Sequence, residues 1–231
     1  KEEKEILIEG RGTNTFYAKH LRDSKFNYVH YSGFSALQND SLFLPSAITF
    51  YLSDLNINNT KFSKNKLGDD LVNFFNCKMT ISNSHFTHSL GDALDSDFCI
   101  GNLNNNYFYS CGNDALDCSG SDLIVKNCSF INIQDNALRA GENSNITLDY
   151  IPTNNFDIIL YNDGSNNEVF CVSEIDECYE VNSNENLTIS IPITSNTNLV
   201  NLTIIPYHRE DLQKDISIYI NNDCISGNYD C

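Results

Sequence analysis

Five short phrases recur along the first 130 residues: LRDSKF, INNTKF, ISNSHF, LNNNYF and VKNCSF. Each reads apolar–x–Asn/Asp–x–x–Phe, and the phrases end at Phe26, Phe62, Phe86, Phe108 and Phe130. The last three phenylalanines are 22 residues apart and the gap before them is 24. The first gap is longer and contains SGFSALQNDSLFLP, which reads as a loop insertion. Other columns keep the same step: Ile81, Leu103 and Val125; Asp70, Asp92, Asp114 and Asn136; Val72, Leu94, Leu116 and Leu138. A helical pair would place apolar residues three and four apart, which these units do not do. A leucine-rich repeat needs several spaced leucines in each unit. Here each unit offers two or three short alternating strands broken by Gly, Asn and Ser, which describes one coil of a parallel β-helix.

Stacking assigns roles to the columns. Equivalent residues come to lie about 4.8 Å apart, and the Leu and Phe columns become the core. Asn59, Asn83, Asn105 and Asn127 read as an amide ladder that satisfies interior backbone groups left open by a tight bend.

The unit NDALDCSGSDLIVKNCSF resembles the repeat of the pectate-lyase-like superfamily, which includes polygalacturonases. SAITFYLSD, GDALDSDF, GNDALDCSGSD and GENSN are similar to a group of bacterial surface β-helices associated with spore-coat-H-type kinase domains, a group with no settled activity. The resemblance covers roughly residues 5 to 150 and implies a right-handed helix with three sheets per coil. The expected class is therefore all-β: a right-handed parallel β-helix of about 22-residue coils over 1–150, followed over 151–231 by a small disulfide-containing antiparallel β domain or a C-terminal cap. In that tail FDIILY, EVFCVS, LTISIPI, LVNLTIIPY and DISIYI read as strands.

Charge and cysteine content narrow the partners. The chain carries 14 basic and 31 acidic residues, a net charge of −17. Nucleic acid and anionic membrane surfaces are poor partners for such a chain. No apolar run reaches the about 18 residues of a membrane span. The charged start, KEEKEILIEG, is unlike a signal peptide and suggests a mature form or a piece of a longer surface protein. Nine cysteines occur without a C-x-x-C motif. Cys77 and Cys99 share a column in adjacent coils, so a disulfide and a pair of stacked buried thiols both fit. Cys171, Cys178, Cys224 and Cys231 suggest a stapled tail and an oxidising, extracellular or cell-surface setting. Cys118 belongs to an inward column with Phe74, Ser96 and Ala140.

The aspartates are the strongest chemical candidates. Asp70, Asp92 and Asp114 precede strands in successive coils, and three residues later comes the column Asn73, Asp95, Asp117 and Arg139. Leu94 and Leu116 pointing inward would turn Asp95 and Asp117 outward. Three readings stay open. In the first, stacked carboxylates about 5 Å apart match a retaining glycosidase pair, and like charges this close raise one pKa. The resemblance to polygalacturonases makes Asp69, Asp70 and Asp114 the acid/base set, and Asp92, of the same column, is a further catalytic candidate. Their Gly-His-Gly and Arg-Ile-Lys motifs are missing, and Arg139 lacks a partnering Lys. In the second, Asp95, Asp97 and Asp117 hold Ca²⁺, the one candidate ion; the β-helix lyases that the chain resembles use Ca²⁺ to bind uronates. In the third, the aspartates bond backbone N–H groups and fix turns. The reading adopted is a non-catalytic extracellular or cell-surface module that binds polysaccharide or another surface polymer, with Asn73, Asp95, Asp117 and Arg139 as contacts. A polysaccharide hydrolase or lyase and a purely structural spacer are the alternatives.

Overall fold

The computed structural model describes residues 4–38, 42–141 and 144–149, together with the backbone of the strands between 155 and 226. The chain winds as a parallel β-solenoid whose coils contribute one strand each to three sheets. Sheet A has six strands, among them Lys61–Ser63, His85–Ser89, Tyr107–Cys111 and Ser129–Ile133. Sheet B includes Ile48–Tyr51, Asp70–Phe75, Asp92–Asp97, Leu116–Ser119 and Leu138–Gly141. Sheet C includes Asp54–Asn58, Lys78–Ser82, Ile100–Asn104, Asp122–Lys126 and Asn145–Asp149. Neighbouring coils pair in parallel and in register, for example Phe86 with Phe108 and Leu94 with Leu116.

The register converts the sequence columns into a stacked core. Phe62, Phe86, Phe108 and Phe130 lie ring on ring, with centroids 5.1, 4.8 and 5.0 Å apart. Each of these rings is essentially without solvent contact. Phe26 does not head this column, as the phrase alignment has it. It pairs with Ile57 in sheet C, and Tyr31 stacks on Phe62 at 5.2 Å. The first coil therefore reads in the frame FNYVHY, with Tyr28 standing where Asn59 stands one coil on. The expected insertion is a two-stranded antiparallel hairpin, Leu37–Gln38 with Phe43–Leu44.

The corners decide whether such a stack can form. Between sheets B and C, Leu52, Asn76, Phe98 and Gly120 take positive φ, and each is followed by a small polar residue or thiol. The backbone N–H of that following residue donates to the side chain one coil further on: Cys77 N to Cys99 Sγ at 3.2 Å, Cys99 N to Ser121 Oγ at 3.0 Å, Ser121 N to Ser144 Oγ at 3.1 Å. Between sheets C and A the device repeats after Asn59 and Asn83. There Thr60 N donates to Ser84 Oγ at 3.1 Å and Ser84 N to Asn106 Oδ1 at 2.9 Å. Buried N–H groups that bending removes from the sheet ladder are thereby satisfied.

Two sequence expectations change here. The Asn column recurs because Asn tolerates the left-handed region, and it does not bond the interior. Asn83, Asn105 and Asn127 are exposed, and their amides link outside the barrel, Asn105 Nδ2 to Asn83 Oδ1 at 2.6 Å for one. The interior bonds belong to the residue after each Asn. Cys77 and Cys99 form no disulfide; both are free and buried. Their sulfurs fill the places that Ser53, Ser121 and Ser144 hold in other coils, which is a sufficient reason for thiols there. Cys118 is buried in the Phe74, Ser96 and Ala140 column.

Beyond Asp149 the backbone strands join the same sheets. Glu177–Asn182 pairs in parallel with Leu138–Gly141, and Asn186–Ile191 with Asn145–Asp149. Antiparallel pairing also enters there, between Asn167–Val172 and both Asn155–Asn162 and Glu177–Asn182. Cys171 and Cys178 are register partners in one such pair. Their side chains and that of Cys224, and the whole of Cys231, lie outside the described residues.

Phe108 sits mid-stack with a ring on either side. Phe108→Ala is expected to lower unfolding free energy by about 3–5 kcal/mol, read by denaturant titration.

Candidate functional site

The aspartate columns meet along one edge of sheet B. The alternation Val72-in, Asn73-out is enforced by the inward Val72, Phe74, Leu94 and Leu116, all fully buried. Asn73, Asp95, Asp117 and Arg139 follow one another in register on the outer face, as the sequence predicts. Asn73 Nδ2 donates to Asp95 Oδ2 at 2.5 Å and to Asp97 Oδ2 at 2.8 Å. Arg139 Nη1 stands 3.7 Å from Asp117 Oδ2. Asp95 and Asp97, candidates for metal on sequence grounds, are thus both engaged by one amide.

Asp70, Asp92 and Asp114 occupy the third corner, between sheets A and B, and Asp92 and Asp114 form its ladder. Asp92 Oδ1 accepts Asp114 N at 2.8 Å and Asn113 Nδ2 at 2.7 Å. Asp114 Oδ1 accepts Asn136 N at 2.8 Å and Asn136 Nδ2 at 3.1 Å. Asp70 Oδ2 accepts the Ser46 hydroxyl at 2.6 Å. All three aspartates are buried, whereas Asp69 is exposed beside them. The glycine of each Gly-Asp and Gly-Asn-Asp phrase has a steric reason: a Cβ on Gly91 would strike the Asp69 carbonyl oxygen, and one on Gly112 that of Leu90. The turn-fixing role supplies each of these features.

The two columns also converge. Carboxylate oxygens of Asp92, Asp114 and Asp117 lie within 4.8 Å of one another. That is an all-oxygen set of the kind hard divalent cations take, although Asp92 and Asp114 each have one oxygen committed to a corner bond. Crowding shows in the protonation. Burial, with Asp92 and Asp117 as like-charged neighbours, pushes the Asp114 carboxyl up to about 7. Burial raises Asp117 to about 6, with Arg139 pulling the other way. Asp92 is raised chiefly by burial. Asp70 and Asp95 are raised by burial and by facing carboxylates.

One part of this face is absent from the sequence reading. Tyr51 and Phe75 share the register column of Asp97 and stack at 5.4 Å, 26° apart. Phe98 meets Phe75 edge-on at 5.7 Å, and His20 meets Tyr51 at 6.2 Å. An aromatic ridge thus runs beside the carboxylate ribbon. Its signal was the doublets Phe50-Tyr51 and Phe74-Phe75: strict alternation leaves the second ring of each outside.

Comparison of the chain with protein-family models, with curated proteins and with solved structures finds no match.

The raised carboxyls set a pH dependence. Asp114 and Asp117 hold protons in the folded chain up to about pH 7 and about pH 6, against about pH 4 unfolded. The folded state therefore binds more protons between these limits. Their contribution to stability is full below about pH 4 and is lost as pH rises through 6 to 7. The thermal midpoint is expected to fall from pH 5 to pH 8. Asp114→Asn, which keeps an acceptor for Asn136 and removes a charge, is expected to shrink that fall. Asp114→Ala is expected to cost about 1–3 kcal/mol at pH 5, where it strands a buried N–H.

Proposed function

We propose that the outer face of sheet B is a polymer-binding surface and that the protein is a non-catalytic extracellular or cell-surface module for a polysaccharide. The observation that carries this reading is Phe98. It adopts φ +53°, a region costly for a bulky residue, and its equivalents in neighbouring coils are Asn76 and Gly120. The residue is 51% exposed. Leu52 holds the same φ region two coils earlier, and Phe98, half exposed and edge-on against Phe75, extends the aromatic ridge into solvent. With Tyr51 and Phe75 it offers flat apolar rings, and the half-buried Asp95 and Asp117 offer acceptors alongside, a pairing suited to sugar rings and hydroxyls. Rings on the coils of Tyr51 and Phe75 and acceptors on those of Asp95 and Asp117 follow one another along the stack, which suits a polymer lying along it. The ribbon repels uronates, so cationic amino-sugar chains fit best. The resemblance of the repeat to the pectate-lyase-like superfamily supports a glycan-facing role.

Hydrolysis is the second reading, favoured by the proximity of Asp92, Asp114 and Asp117 and by an Asp117 carboxyl raised to about 6. The corner bonds of Asp92 and Asp114 weigh against it, because a general acid needs its carboxyl free.

Chitosan in affinity electrophoresis tests the binding face. Phe98→Asn is expected to weaken retention about tenfold, roughly 1.4 kcal/mol, while raising unfolding free energy by about 1 kcal/mol. Unchanged retention contradicts the assignment. New reducing ends from the same polymer, abolished by Asp117→Asn, would establish hydrolysis instead.

A further inference from the structure

A second surface lies across the molecule, where sheet C turns into sheet A. Two depressions of about 370 and 490 Å³ share Asn59, Asn83 and His85 and so form one trough along the stack. Its wall is the external amide row. Asn105 Nδ2 donates to Asn83 Oδ1 at 2.6 Å, and Asn83 Nδ2 to Asn58 Oδ1 at 2.8 Å. An amide carries two N–H donors and two acceptor sites. In the row Asn83 uses one donor and one acceptor and Asn105 one donor, and both are exposed, so donor and acceptor capacity faces out on two successive coils. The other wall is aromatic: His85 and Tyr107 are 5.4 Å apart, and Tyr107 lies parallel to Tyr109 at 6.0 Å and 10°. On this face Thr87, the register neighbour of Tyr109, is 5% exposed and its hydroxyl has no hydrogen-bond partner. Charge in the trough is sparse and mixed, Glu5 against Lys61, although the chain as a whole carries −17.

We propose that this trough is a second binding site, specific for a neutral polysaccharide chain that lies along the solenoid with sugar rings against Tyr107 and hydroxyls on the Asn83–Asn105 row. A polymer of one charge sign would meet one opposite and one like charge there, Glu5 and Lys61, and gain little. A nucleic acid would meet the field of an acidic chain. A neutral glycan needs what the trough offers: flat rings, amides that both donate and accept, and a repeat in one direction. The site is independent of sheet B, and its failure would leave the reading of that face intact.

The test is affinity electrophoresis of the chain in gels containing hydroxyethylcellulose or galactomannan. Retardation by at least one is expected. Tyr107→Ala is expected to weaken it about tenfold. Asn105→Gly, which removes the amide and favours the left-handed backbone, is expected to weaken it several-fold, with Tyr107→Phe near the parent. Far-ultraviolet circular dichroism and the thermal midpoint establish that each variant is folded. Phe98→Asn is expected to leave retardation by neutral polymers unchanged. Absence of retardation by both polymers overturns the proposal, as does retardation indifferent to Tyr107→Ala. Loss on Phe98→Asn with no loss on Tyr107→Ala also overturns it and assigns neutral glycans to sheet B.

Discussion

A solenoid must turn corners, and a corner takes a backbone N–H out of the sheet and buries it. An unpaired buried N–H costs about 1–3 kcal/mol, and every coil generates several. The chain answers with one device: the N–H at a corner donates to a short polar side chain of an adjacent coil, the next one in two series and the preceding one in the aspartate series. Serine, threonine, cysteine, asparagine and aspartate all serve, in the series Cys77–Cys99–Ser121–Ser144, Thr60–Ser84–Asn106 and Asp92–Asp114–Asn136. The phenylalanine stack supplies apolar burial, but the corner bonds set which coil faces which.

This frame explains why two neighbouring aspartate columns differ. Asp92 and Asp114 are buried corner residues whose oxygens are committed. Asp95 and Asp117 lie on the outer face and are half-buried, with Asn73 and Arg139 at the ends of their row. Mutual repulsion and burial keep part of the set protonated near neutrality, so the ribbon carries less charge than its composition implies. The face beside it bears rings that the core does not use. Structural economy accounts for the first column; the aromatic ridge and Phe98 call for a binding partner.

Much of the architecture was readable from period alone. The 22-residue step and internal alternation gave the coil, the inward columns and the outward position of Asp95 and Asp117. What failed did so for local reasons. Phe26 was misaligned because the first coil carries Tyr28 and Tyr31 where later coils carry Asn and Phe, and the phrase template rewarded the wrong ring. The Asn column was given interior bonds because an amide ladder and a left-handed corner select the same residue; only φ separates them. The Cys77–Cys99 spacing fits a disulfide and a thiol ladder equally. The aromatic ridge was hidden because doublets such as Phe74-Phe75 look like core until the alternation is applied to both members.

Amide hydrogen exchange at the corners tests the account most directly, because the strand ladders do not involve these N–H groups. The amides of Cys99, Ser121, Asp114 and Asn136 are predicted to be protected to nearly the same degree as strand amides such as those of Leu103 and Val125. Exchange at these four sites as fast as in exposed turns, with the strands still protected, would contradict the corner ladders. The aspartate repeat would then need another explanation.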